Sequence, residues 1–342
     1  MYKSQIIEIN ESLKKTRKAI ISIGCSFVEG QGAVDDDLYR DYNWIYSEAG
    51  APLKIDASLK ERRKLVKTRP NIRMNLDTSL DCTMMEYENA FVSVLCKKYF
   101  QGSYTPINLG LRGCGNRASI KELYMHPNIT WDIIDEIIVL YVPSGIERFD
   151  FINDECIEHF NWKCMWPFYK DMGDSPRKIL WEGYSKNLYS DKFAVLEQIS
   201  HVQELMSWCA NKKAKLIITP GFDKRYDREF FERCLASEVR GRNTDSTEIT
   251  LVKPLFGSQQ DKSYLLDLFP WNNMFEPDGY KTFADLALSK EDKVEDNNDH
   301  YFQFLGKGSP DRWITPCSHP SQKAHDLFAK HLYTHIINNG NL

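Results

Sequence analysis

The sequence lacks the features that mark membrane, secreted and nucleic-acid-binding chains. No apolar run approaches the roughly 18 residues that span a bilayer. Residues 1–20 carry charges throughout and have no apolar signal-peptide core, so we expect cytoplasmic synthesis. The formal net charge is −4, which favours neither nucleic acid nor an anionic membrane surface, and we expect no nucleic-acid partner.

Internal repeats, low-complexity linkers and a paired cysteine framework are also missing. The nine cysteines are odd in number and scattered, which is typical of reduced thiols in a cytosolic protein. The 342 residues are 42% hydrophobic, which is enough for a large core. We therefore expect a single domain over residues 1–342, with insertions.

Two groupings of metal-ligand residue types are incomplete. Cys156, His159 and Cys164 lie close together, but their spacing fits no full zinc set. His331 and His335 are four residues apart on a predicted helix that lacks the glutamate of a zinc-protease helix. Packing or solvation explains both groups, and we expect no metal and no organic cofactor.

Two charged runs are predicted to lie at the surface. The basic run KERRKLVKTR, Lys60–Arg69, is typical of a solvated helix face, although contact with phosphates stays open. The run KEDKVEDNNDH, Lys290–His300, is typical of an exposed loop. Neither run indicates a specific partner.

Short apolar runs alternate with amphipathic stretches along much of the chain. Buried strands are predicted at residues 19–24, 105–110, 135–142 and 214–221, and helices at residues 86–100, 116–126, 192–213 and 321–337. This alternation predicts an α/β fold with a mostly parallel sheet that helices cover on both faces. Such a sheet binds ligands at the carboxyl ends of its strands.

Three long stretches interrupt the alternation, at about residues 34–85, 146–191 and 222–316. They are rich in aromatic residues, proline and asparagine, and their length indicates insertions on the rim of the sheet. We expect the third insertion to fold over the strand ends. It would then bring Trp271 or Trp313 near the pocket as an apolar wall.

A serine and a histidine stand at predicted rim positions. Ser26 follows Gly24 and Cys25 directly after the first strand, and a serine nucleophile needs a base to take its proton. His319, held by Pro320 before the last helix, is a candidate base. Each residue alone is also explained by turn or cap chemistry. Cys25 is expected to be a packed thiol rather than a second nucleophile.

Three sequence blocks, taken in order, resemble those of the SGNH (GDSL-type) hydrolase superfamily. GCSF contains Ser26, NLGLRGCGN contains Asn108 and Gly113 after the second strand, and SHPS contains His319 before the last helix. The first two blocks are most similar to those of uncharacterised phage-encoded members. The resemblance implies a flavodoxin-like three-layer sandwich with long rim insertions, and a serine hydrolase activity.

The resemblance also implies a role for each matched residue. Ser26 would be the nucleophile and His319 the general base. The oxyanion hole would use the N–H groups of Ser26 and Gly113, together with the side chain of Asn116 or Ser144. Asn116 is also explained as a helix cap, for which asparagine is a favoured residue.

Two positions depart from the family pattern. Ser144 stands near the place of the family's third-block asparagine, and Pro316 stands where the family has the acid that orients the histidine. Asp311 or a backbone carbonyl is a candidate substitute for that acid. A Ser–His dyad would still be a hydrolase, because loss of the orienting acid costs about 10⁴-fold and loss of the nucleophile about 10⁶-fold.

Two functions stay open at this point. The first is an esterase or deacylase that acts on a small-molecule or glycan ester, with an acylated glycan suggested only by analogy to the phage members. The second is a non-catalytic viral structural or binding protein on the same scaffold, which the missing acid and asparagine favour. Its insertions would be surfaces for a protein partner, and a virion location follows if the chain is phage-encoded.

Overall fold

Nine strands in the described part of the chain form three separate sheets. The structure is a computed structural model that describes residues 3–30, 33, 44–46, 52–54, 73–74, 86–111, 113–126, 128–152, 162–165, 176–187, 189–236, 259–290, 313 and 319–339. The strands are β1 Lys18–Gly24, β2 Trp44–Tyr46, β3 Pro52–Lys54, β4 Arg73–Met74, β5 Thr105–Asn108, β6 Glu136–Val142, β7 Phe149–Ile152, β8 Trp162–Met165 and β9 Lys215–Ile218.

Ten α-helices accompany these strands in the described part of the chain. They are α1 Lys3–Thr16, α2 Ser26–Glu29, α3 Phe91–Val94, α4 Asn116–Lys121, α5 Pro176–Asn187, α6 Asp191–Lys212, α7 Arg228–Ala236, α8 Gln259–Asp267, α9 Phe283–Leu288 and α10 Gln322–Asn338. A π-helical turn over Leu95–Tyr99 continues α3, and a 3₁₀ turn over Glu122–Tyr124 continues α4. No described helix combines the length and the apolar content that crossing a membrane requires.

The main sheet has four strands in the order β5-β1-β6-β9, and every neighbouring pair is parallel. In chain order this is second, first, third, fourth, which matches the first four strands of flavodoxin-like sheets. The predicted α/β class is confirmed. β3-β2-β4 and β7-β8 are small antiparallel sheets in the first and second predicted insertions.

Both faces of the main sheet are buried, which explains why its strands are apolar without alternation. On one face, Ile21 and Ile23 of β1 contribute to a core that α1, α6, α7 and α8 complete. On the other face, Ile20 contributes to a core that α2, α3, α9 and α10 complete. The molecule therefore has helix, sheet and helix layers. Helix α1, which periodicity did not single out, buries Ile9 and Leu13.

The chain that leaves β5 stays bonded to β1 beyond the end of the regular ladder. The Leu109 N–H donates to Ser22 O at 2.8 Å, and the Leu111 N–H donates to Gly24 O at 2.9 Å. These bonds carry the chain along β1 to its carboxyl end. Gly113 is thereby brought to the edge of the sheet at which Ser26 lies.

The third predicted insertion partly completes the sheet. Met274 forms a parallel bridge to Ile218, and the Phe275 N–H donates to Ile218 O at 2.7 Å, so this segment occupies the edge beside β9. Trp271 packs edge-on against Phe231 in the core on one face. Of the two tryptophans expected near the pocket, Trp271 instead fills the core beside the edge strand, whereas Trp313 packs against the core on the other face, which also contains Phe27.

Candidate active site

Strand β1 ends at a position that only glycine can occupy. Gly24 has φ 155°, and a Cβ there would lie 2.4 Å from Val142 O of the neighbouring strand β6. Contact this close excludes every larger residue. Helix α2 begins two residues later, so Ser26 is its first residue and lies at the carboxyl edge of the sheet.

The structure brings Ser26 and His319 into direct contact. Ser26 Oγ lies 2.7 Å from His319 Nε2, although 293 positions separate the two residues in the chain. Ser26 has an exposed fraction of 7%. His319 is held just ahead of α10, where Ser321 caps the helix by accepting a hydrogen bond from the Ala324 N–H. The distance suits proton transfer between a hydroxyl and an imidazole.

Aromatic rings line the site beside this pair. The Phe27 ring lies 5.3 Å from the His319 ring and 5.3 Å from the Phe222 ring, measured between centroids. Trp313 accepts a hydrogen bond from the Ser321 N–H through its backbone oxygen. Cys25 is fully buried, as expected of a packed thiol. Asp311 and Pro316 lie outside the described residues.

Asn108, the asparagine of the second motif block, holds helix α2 in place. Its Nδ2 donates to Val28 O at 2.9 Å and to Glu29 O at 3.3 Å, and its Oδ1 accepts from the Gly110 N–H at 3.0 Å. A Cβ on Gly110 would lie 2.3 Å from Glu29 N. The block therefore supports Ser26 indirectly, by fixing the helix that carries it.

Two backbone donors near Ser26 are available to a ligand. Among the described residues, neither the Ser26 N–H nor the Gly113 N–H has a hydrogen-bond acceptor. Gly113 adopts φ 66° with nothing within 4 Å of the position that a Cβ would occupy. Its backbone is therefore open on that side, as close approach of a substrate requires.

Asn116 takes neither of the two roles that the sequence left open. Gly115, not Asn116, occupies the N-cap position of α4. The Asn116 side chain donates to Tyr226 Oη at 2.6 Å and to Ser144 O at 3.4 Å, and its Oδ1 accepts from the Ser144 N–H at 2.7 Å. Because both amide hydrogens are engaged, Asn116 has no donor left for an oxyanion.

Ser144 does not supply an oxyanion donor either. Its N–H and its hydroxyl both point at Asn116 Oδ1, at 2.7 Å and 3.2 Å, and the residue is fully buried. Tyr226 continues this network by donating to Gln198 Oε1 at 3.0 Å. Burial raises the pKa of Tyr226 well above its usual range, so its hydroxyl stays neutral. This network connects helices α4 and α6 to the turn that follows β6.

Asp150, from the second predicted insertion, caps helix α4. Its carboxylate accepts from the Gly115 N–H at 2.6 Å and from the Ala118 N–H at 2.9 Å. A Cβ on Gly115 would lie 2.7 Å from the same carboxylate, which explains the glycine. The sequence offered no signal for this contact, because a single aspartate in an aperiodic segment has no pattern.

A cluster of charges occupies the ends of β6 and β9. Arg225 donates to both oxygens of Asp223, at 2.9 Å and 2.8 Å, and forms an ion pair with Glu147. The Ile146 N–H also donates to Asp223, at 2.7 Å. Burial raises the pKa of Asp223, an effect that the N–H donors of Ile146 and Arg225 oppose. Each member of the cluster has a hydrogen-bond or ion-pair partner within it.

No metal centre is built from the described residues, where no three His, Cys, Asp or Glu side chains gather. Cys156 and His159 lie outside these residues, and the side chain of Cys164 on β8 does too. His335 packs against Phe275 at 4.6 Å between ring centroids.

Comparison of the chain with family models, curated proteins and solved structures finds no match.

Proposed function

We propose that the chain is a serine ester hydrolase of the SGNH type, with Ser26 as nucleophile and His319 as general base. The observation that carries the proposal is the 2.7 Å contact between Ser26 Oγ and His319 Nε2. Three motif blocks meet at this edge of a parallel sheet. Because no relative supports the assignment, it rests on those motif residues and on the geometry of the pair.

The first half of the reaction makes an acyl-enzyme. With a proton on His319 Nδ1, Nε2 accepts the Ser26 hydroxyl proton as Oγ attacks the ester carbonyl carbon. The tetrahedral intermediate then loses its alcohol, because His319 returns that proton to the leaving oxygen as the carbon–oxygen bond breaks. Ser26 is left esterified, and the alcohol departs.

The second half repeats these steps with water. His319 takes a proton from water, the hydroxide equivalent attacks the acyl carbon, and the bond to Ser26 Oγ breaks as the serine regains its proton. The carboxylic acid product leaves. One ester and one water thus give one acid and one alcohol, with no cofactor.

The oxyanion of both intermediates would be bound by backbone donors alone. The N–H groups of Ser26 and Gly113 are the candidates, because the described residues offer them no acceptor. Each such donor contributes about 10²- to 10³-fold to turnover. The side chains of Asn116 and Ser144 are not needed, and their bonds to each other favour a supporting role.

A fluorophosphonate probe tests the proposal directly, because it phosphonylates an activated serine. We expect stoichiometric labelling of the wild-type chain at Ser26, located by peptide mass spectrometry, and none in Ser26→Ala. Ser207→Ala, a serine on the surface of α6, is the matched control and should label fully. If the wild-type chain takes no label, the proposal is wrong and the non-catalytic binding protein replaces it.

A further inference from the structure

The Cys114 thiol lies between the two segments that carry the candidate oxyanion donors. Its Sγ lies 3.0 Å from Leu111 O, and Leu111 stands two positions before Gly113. The same Sγ lies 3.6 Å from Gly24 O, and Gly24 stands two positions before Ser26. One side chain therefore contacts the backbone just ahead of both donors, where Gly24 O also accepts from the Leu111 N–H.

Ser119 contacts this thiol from helix α4. Its hydroxyl lies 3.1 Å from Cys114 Sγ and donates to Gly115 O at 2.8 Å. Both residues are buried, with exposed fractions of 4% for Cys114 and 0% for Ser119. Burial raises the pKa of Cys114 well above its usual range, so the thiol keeps its hydrogen and can donate it. The carbonyls of Leu111 and Gly115, two positions to either side of Gly113, are thus both bonded to these side chains.

Gly113 has no close packing of its own on the side where a Cβ would lie. Its φ is 66°, and nothing lies within 4 Å of that position. An oxyanion hole needs its N–H groups to point at one place, and a misplacement of about 1 Å costs about 10²-fold in rate. The direction of the Gly113 N–H therefore depends on the hydrogen bonds that fix the chain on either side of it.

We propose that Cys114 is a positioning residue, whose thiol sets the separation and direction of the Ser26 and Gly113 N–H groups. This inference rests on the proposed function and adds a residue that supports its oxyanion hole. Cys114 acts through the backbone, and proton transfer between Ser26 and His319 does not require it. Because the charge of the oxyanion develops only in the transition state, loss of the thiol lowers kcat and leaves KM nearly unchanged.

Cys114→Ala tests the inference with a short-chain 4-nitrophenyl ester as substrate. The substitution removes the contacts of the thiol with Leu111 O, Gly24 O and the Ser119 hydroxyl. We expect kcat to fall about 10²-fold, the cost of a misplaced donor, while KM changes by less than about threefold. The pH at which kcat/KM is half-maximal should not move, because the Ser26–His319 pair is intact. Urea denaturation checks that the variant is folded.

Two further variants separate the hydrogen bonds of the thiol from its packing. Cys114→Ser keeps one donor and one acceptor at this position, so it should recover most of the lost kcat. Cys96→Ala removes the same atom from the same core, where Cys96 is fully buried and its thiol has no hydrogen bond to a described residue. The cavity costs stability in both alanine variants, but kcat of Cys96→Ala should stay within about twofold of the wild type.

The outcomes distinguish this inference from the function beneath it. If Cys114→Ala folds and keeps the wild-type kcat, the inference is wrong and the hydrolase stands. An equal loss of kcat in Cys96→Ala, or a Cys114→Ser variant no faster than Cys114→Ala, also overturns it. Should Cys114→Ala not fold, Ser119→Ala is expected to lower kcat without changing KM, and a wild-type kcat in that variant overturns the inference. If the wild-type chain hydrolyses no ester, both the function and the inference fail.

Discussion

Asn116 binds Ser144 through both ends of its carboxamide. Oδ1 accepts from the Ser144 N–H and hydroxyl at 2.7 Å and 3.2 Å, and Nδ2 donates to Ser144 O at 3.4 Å. The remaining amide hydrogen goes to Tyr226 Oη. Asn116 thus ties the start of α4, just after Gly113, to the turn after β6. These two turns flank Ser26, so the Asn116 carboxamide fixes their positions relative to each other at the edge of the candidate site.

Asn116→Asp is expected to destabilise the protein strongly. The substitution removes both amide donors and introduces a carboxylate at a position with an exposed fraction of 1%. An unpaired buried charge of this kind costs about 3 kcal/mol or more in the free energy of unfolding. Urea denaturation measures the loss. Asn339→Asp, at the exposed end of α10, is the control and should change stability by less than about 1 kcal/mol. Equal midpoints for the two variants would contradict the buried role of Asn116.

Ser26→Ala and His319→Gln are each expected to abolish ester hydrolysis while leaving the fold intact. Loss of either member of a nucleophile–base pair costs about 10⁶-fold in kcat, and the double variant should be no slower than the single ones because the two act as a unit. Turnover of a short-chain 4-nitrophenyl ester and thermal denaturation measure both effects. Wild-type turnover in Ser26→Ala would show that the nucleophile is elsewhere, and Cys25, next in the chain, would be tested first.

Two glycines of one motif block are expected to respond differently to alanine. At Gly110 a Cβ would lie 2.3 Å from the backbone nitrogen of Glu29, so Gly110→Ala must displace α2 and should prevent stable folding. At Gly113 the space is open, and only the positive φ opposes alanine, at about 1–2 kcal/mol.

The Gly113→Ala protein should therefore fold and can be assayed. Any shift of its backbone moves the N–H that we assign to the oxyanion, so kcat should fall more than KM changes. Steady-state kinetics on a soluble Gly113→Ala protein measures the changes in kcat and in KM separately. An unaltered kcat would remove Gly113 from the oxyanion hole. Soluble, fully stable Gly110→Ala would disprove the close packing of α2.

The protein is expected to lose stability in mild acid through His325. This histidine is fully buried, and its Nδ1 accepts from the Phe91 N–H at 3.1 Å. Burial lowers its pKa to about 3, and the neighbouring His319 contributes in the same direction. A histidine in an unfolded chain has a pKa of about 6.5. Below that pH, His325 is therefore protonated in the unfolded state and still neutral in the folded state.

The contribution of His325 to the free energy of unfolding is therefore fully present above a pH of about 6.5. It is lost as the pH falls toward 3, by at most about 1.4 kcal/mol per pH unit. His201, whose pKa burial lowers to about 4, adds a loss of the same sign. Urea denaturation at pH 8, 6 and 4.5 measures the slope for the wild-type chain and for His325→Gln. We expect a shallower slope in the variant, and an identical slope would contradict the assignment.

Local pattern was enough to predict the main sheet and its longest helices. The uninterrupted apolar residues of β1 and β6 indicated strands buried on both faces, and the predicted helices at residues 192–213 and 321–337 are α6 and α10 to within one or two residues. These elements could be predicted because the spacing of apolar residues within each one can be read directly from the sequence. Ser26 and His319 could be paired in advance because the resemblance of the three motif blocks implies that both residues lie at the carboxyl edge of a parallel sheet.

Only the tertiary structure decided what surrounds that pair. The bonds of Asn116 to Ser144 and Tyr226 and the capping of α4 by Asp150 join segments that are far apart in the chain. These contacts follow no periodic pattern, so nothing local in the sequence indicates which residues are partners. The sequence by itself determined the layers of the fold and the position of the candidate dyad. Long-range packing determined that the polar groups of Asn116 and Ser144 bond to each other, whereas the N–H groups of Ser26 and Gly113 have no acceptor among the described residues.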